Sequence, residues 1–124
     1  MKAWFTVTAV LELGAGLALL CVPSIMVALL LGAPLETPAA LSVARIGGAG
    51  LLSLGIACGI ARNDAQSMAA RGLMTAMLLY NIAAVTLLIY ARFGYGLSGL
   101  ALWPGVVLHA GMAGWCIARL RHKA

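Results

Sequence analysis

Residues 3–22 read AWFTVTAVLELGAGLALLCV, and this stretch decides the fold. A helix rises about 1.5 Å per residue, so twenty residues span the roughly 30 Å hydrocarbon core of a bilayer. The only charged residue in the stretch is Glu12, near its centre. A carboxylate at that depth costs on the order of 2.5–3.5 kcal/mol on insertion scales, so it needs a partner or a task.

The rest of the chain has the same character. Of its 124 residues, 64% are hydrophobic and only 9% are charged. Soluble domains carry about 25% charged residues, and a fold this small has too much surface for its volume to hide the excess of apolar side chains. A single membrane domain over residues 1–124 is expected, with membrane lipids as its surroundings and no nucleic-acid partner.

Three further stretches are long enough to cross, at about residues 39–61, 68–90 and 100–120. Pro23 ends the first span, because proline lacks an N–H and disfavours helix in the residue before it. Residues 24–32 are apolar but too short to cross, which predicts an interfacial helix. Pro34 and Pro38 bracket a turn. Residues 62–67 form a polar hairpin in which Asn63 or Asp64 can cap the next helix. Residues 92–96 make the last connection, with Tyr90, Tyr95 and Trp103 as an interfacial aromatic belt. The predicted fold is all-α: an integral membrane four-helix bundle with a short interfacial helix after the first span.

Charge then orients the bundle. With the N-terminus in the cytoplasm, the inner side carries Lys2, Arg62, Arg71, Arg119, Arg121 and Lys123, and the outer side only Arg92. Basic residues concentrate on the cytoplasmic side, so both termini are expected there, in a bacterial-type inner membrane. A cleaved signal peptide over residues 3–22 fits less well, since Glu12 interrupts its apolar region and no A-x-A site follows. The basic tail, residues 119–123, suits anionic head groups. Glycines at 47, 48, 50, 55 and 59, alanines at 69, 76 and 83, and Gly111 and Gly114 suggest close helix packing.

Counting depth along each span places Glu12, Tyr80, Asn81 and His109 near the midplane, with Arg45 about 7 Å further out by the helical rise. Such residues usually face the bundle interior and pair with one another. Two readings follow. Glu12 and Arg45 form an internal ion pair, with Asn81 and His109 as interhelical hydrogen-bond glue contributing about 1 kcal/mol each. Alternatively Glu12, Arg45, Tyr80, Asn81 and His109 line a ligand or proton site. Gly105, His109, Met112 and Cys116 share one face of their helix, and Met74, Met77 and Asn81 share one face of theirs. Thioethers and thiols suit copper(I), but methionine is also ordinary core filling, and no metal site is assigned. Cys21, Cys58 and Cys116 lack a C-x-x-C spacing or a neighbouring base, so no catalytic nucleophile is assigned either.

Glu12, Pro23 and the run Arg45-Ile46-Gly47-Gly48 with Gly55 resemble the first half of the DoxX-like and allied small four-helix bacterial membrane proteins. That resemblance implies the fold and, for some members, association with quinone-coupled redox partners. The length and the glutamate midway along the first helix are also similar to the small multidrug resistance transporters, in which such a glutamate exchanges protons for cationic drugs. The function expected is a small binding or accessory protein. It would hold a hydrophobic ligand with a polar head, a quinone or lipid, or dock to a larger membrane complex or a second copy of itself. The alternative is a proton-coupled small-molecule exporter using Glu12. An enzyme has only the acid–base potential of Glu12, Tyr80 and His109 behind it.

Overall fold

A computed structural model describes residues 1–122 and is all-helical, with no strand among them. The helices are α1 (Lys2–Cys21), α2 (Pro23–Leu31), α3 (Pro38–Ala61), α4 (Met68–Gly94) and α5 (Leu102–Arg121), with a 3₁₀ turn over Arg62–Asp64. Lys123, counted in the basic tail, lies outside the described residues.

The boundaries follow local chemistry. Val22 leaves helical geometry at φ −132° and ψ 55° because Pro23 follows it, and Pro23 then opens α2 from its first turn. Gly32 ends α2 at φ 75°, a left-handed conformation that glycine adopts without strain. A Cβ there would also sit 2.5 Å from the Ser98 carbonyl oxygen. The Thr37 hydroxyl caps α3 by accepting the Ala40 N–H at 3.1 Å, and Ser67 caps α4 through the Ala70 N–H at 3.1 Å. Ser67, not Asn63 or Asp64, therefore supplies the α4 cap. The α4 helix also runs four residues beyond the predicted span. Nothing breaks it at residues 92–94, and the turn comes at Gly96, at φ 70°.

Three helical segments, Lys2–Cys21, Pro38–Asp64 and Met68–Gly94, are long and apolar enough to cross a membrane. The fourth expected span forms a helix but falls outside that class. Trp103, Pro104, His109 and Trp115 dilute its apolar surface, and Arg119 and Arg121 fill its last turn.

Two helix pairs build the bundle, α1 against α3 and α4 against α5. The first is a backbone-on-backbone contact. A Cβ on Gly16 would lie 2.6 Å from the Leu52 nitrogen and 2.8 Å from the Gly48 carbonyl oxygen. One on Gly55 would lie 2.8 Å from the Leu13 nitrogen. Small residues permit this approach where lipid offers no hydrophobic drive to associate. The other small residues do not serve in this way: Ala69, Ala76, Ala83, Gly111 and Gly114 are exposed.

One half of the space between the pairs is filled. Trp4, Phe5, Cys58, Met74, Met77, Met112 and Cys116 pack there as a buried cluster from four helices. Beyond Glu12 a cavity opens between the pairs, and α2 packs against α1, α3 and α5 beside it. The Leu35 N–H donates to Ser24 Oγ at 3.1 Å, and Ser24 Oγ donates to the Leu35 carbonyl at 3.2 Å. Gly99 and Ala101 N–H donate to the Leu30 and Leu29 carbonyls, at 3.3 and 2.8 Å. These bonds hold α2 at both ends.

Candidate functional site

Where the packed core stops, a cavity of about 390 Å³ begins. Leu11, Ala15 and Leu19 of α1, Met26 and Leu30 of α2, Leu51 of α3 and Leu108 of α5 make its walls apolar. Three polar side chains reach it: Glu12, Tyr80 and His109.

Glu12 is only 6% exposed, and its carboxylate meets no hydrogen-bond or ion-pair partner among the described residues. Arg45 does not pair with it. Arg45 is exposed, and its Nε donates to the Leu20 carbonyl at 3.3 Å. Leu20 is two turns beyond Glu12, about 12 Å along α1 at the helical rise, and a cationic head gains more hydration outside than it would keep beside a buried carboxylate. The expected ion pair is thus absent, and Arg45 stands apart from the cavity.

Asn81 and His109 do meet. Asn81 is 2% exposed on α4, and its Nδ2 donates to the Met77 carbonyl, one turn back, at 2.7 Å. That bond turns Oδ1 toward α5, where it lies 2.8 Å from His109 Nδ1. An amide oxygen can only accept, so Nδ1 carries the proton of the neutral imidazole and Nε2 is left with its lone pair. Nε2 finds no partner on the protein, on a ring that lines the cavity. The Tyr80 ring meets the imidazole edge-on, with centroids 5.6 Å apart, and holds its plane.

Two polar atoms behind Glu12 escaped the sequence reading. Trp4 Nε1 and Thr8 Oγ1 are buried with no hydrogen-bond partner. Trp4, Thr8 and Glu12 recur every fourth residue and so stack on one face of α1, a spacing legible in the sequence itself. The two faces read on α4 and α5 do turn inward: Met74, Met77, Asn81, Met112 and Cys116 are buried, and Gly105 and His109 reach the cavity.

Compared with known protein families, curated proteins and solved structures, the chain matches none.

Proposed function

We propose that this is a small membrane protein that binds a hydrophobic ligand with a polar head, a quinone or a lipid, in the cavity beside Glu12. It serves as a binding or accessory protein, alone or against a larger membrane complex. In this arrangement α5 crosses beside α4, α2 lies at the outer surface, and both termini are cytoplasmic in a bacterial-type inner membrane, in keeping with the DoxX-like resemblance. The exposed ring cluster of Tyr90, Tyr95, Phe93 and Trp103 suits the outer head-group level.

One observation carries this reading: a buried, unpartnered carboxylate on the wall of an otherwise apolar cavity. Ligand pockets typically enclose about 300–1,000 Å³ with apolar walls and a few convergent polar groups that fix orientation. An unpaired polar group at this depth is costly, and a ligand head removes that cost. Extraction of lipids and quinones from gently purified protein in nanodiscs tests it. A neutral lipid or quinone should accompany the wild type and be depleted in Glu12→Gln. A protein that carries nothing at any detectable stoichiometry would refute it.

The same free carboxylate favours one alternative, the proton-coupled exporter. Without Arg45 beside it, Glu12 is available to a proton or a hydrophobic cation. Proton release on adding tetraphenylphosphonium, lost in Glu12→Gln, would select the exporter over the binding protein.

A further inference from the structure

We propose that the cavity selects a ligand whose head donates a hydrogen bond, a hydroquinone or a lipid alcohol, over one whose head only accepts, and that Asn81 sets this preference through His109. The inference rests on the ligand-binding reading and sharpens it to a substrate class.

The three polar groups on the cavity wall differ in how far their roles are fixed. The Tyr80 hydroxyl donates or accepts, and the Glu12 carboxyl accepts when ionised and does both when protonated. The neutral imidazole of His109 has no such freedom. Its Nδ1 proton is committed to Asn81 Oδ1 at 2.8 Å, and Asn81 cannot present its NH₂ instead, because Nδ2 is held by the Met77 carbonyl at 2.7 Å. At 2% exposure, Asn81 is shielded from bulk solvent. The imidazole therefore offers the cavity a lone pair at Nε2.

An incoming carbonyl oxygen would set lone pair against lone pair at Nε2. A hydroxyl would donate to Nε2 and still accept from Tyr80. In an apolar cavity that difference is large, since a buried polar group left unpaired loses its full solvation. A quinone head has two acceptors and no donor, whereas its two-electron-reduced form carries two O–H donors on the same ring. Lipid alcohols such as diacylglycerol share the donor chemistry without the ring. Asn81 touches no ligand, so it is a positioning residue.

The test uses the full-length protein in phosphatidylcholine nanodiscs. Nitrogen-15 NMR of histidine-labelled protein, with His122→Gln to assign the second ring, reads the tautomer directly. Protonated Nδ1 and bare Nε2 are expected for His109, and a protonated Nε2 overturns the proposal. Anaerobic titration calorimetry then compares a decyl-tailed benzohydroquinone with its quinone. The hydroquinone should bind at least about tenfold more tightly, as for one satisfied against one frustrated hydrogen bond. Competition by dioctanoylglycerol would place the natural ligand among lipid alcohols, and its failure to compete among hydroquinones. Asn81→Leu should bring the ratio toward one and allow the other tautomer; should that variant not fold, the wild-type tautomer and ratio still decide. Equal or tighter quinone binding overturns the donor preference alone. Binding of none of these probes overturns the ligand-binding reading beneath it.

Discussion

Asn81 and His109, 28 residues apart in the chain, join α4 to α5 through a 2.8 Å hydrogen bond at the level where the packed core gives way to the cavity. On one side of that bond lie the methionines and thiols of the core, and on the other the wall carrying Glu12. The bond thus closes the core and orients a polar ring that lines the cavity.

Breaking it from one side should be worse than removing it whole. Asn81→Leu leaves His109 Nδ1 without its partner and should cost roughly 1–3 kcal/mol, the desolvation penalty of an orphaned group. Asn81→Leu combined with His109→Leu should recover part of that loss. Steric-trap or denaturant unfolding of the two single variants and the double variant measures the coupling. Strict additivity would show that the two side chains do not interact.

Glu12 and Arg45 should behave in the opposite way. With the Arg45 guanidinium on the Leu20 carbonyl, Glu12→Gln and Arg45→Leu should add within about 0.3–0.5 kcal/mol, as independent sites do. A coupling of several kcal/mol in the same unfolding assay would restore the ion pair that depth along the sequence suggests.

Glycine replacements should divide by contact. Gly16→Ala drives a methyl group into backbone at 2.6 Å, so α1 and α3 must separate, at about 1–3 kcal/mol for overpacking. A Cβ on Gly14 or Gly50 would meet nothing within 4 Å. Alanine there should stabilise the helices by roughly 0.5–1 kcal/mol. Thermal unfolding in detergent, monitored by circular dichroism, distinguishes the two classes.

Thr8→Val tests the orphaned hydroxyl behind Glu12. Valine keeps the shape and removes a buried oxygen that finds no partner, so stability should hold or rise by about 1 kcal/mol. A clear loss would mean that an internal water occupies the space between Thr8 and its neighbours.

Reporter fusions should place the 62–67 hairpin in the cytoplasm and the 32–37 and 95–101 connections outside, following the basic residues. A reporter after Arg121 on the outer side would show that α5 does not cross.

Residues 3–22 alone determined that the chain lives in a membrane and that Glu12 demands an explanation, because apolar length and a misplaced charge are local properties. Pro23, Gly32 and Thr37 determined where helices stop and start for the same reason: each acts on its own backbone. Inward-facing residues were also legible on α4 and α5, where periodicity puts Met74, Met77 and Asn81 on one stripe and Met112 and Cys116 on another. Which helices touch was not legible. Gly16, Gly48 and Gly55 look no different in sequence from Gly14, Gly50 and Gly59, and only the crossing of α1 over α3 separates them. Depth could bring Arg45 toward Glu12 on paper, but azimuth and hydration sent it to the Leu20 carbonyl. The cavity itself belongs wholly to the tertiary structure, since an empty space has no residue of its own. It exists because the two helix pairs leave space beyond Glu12 and the bonded ends of α2 hold a short helix beside it.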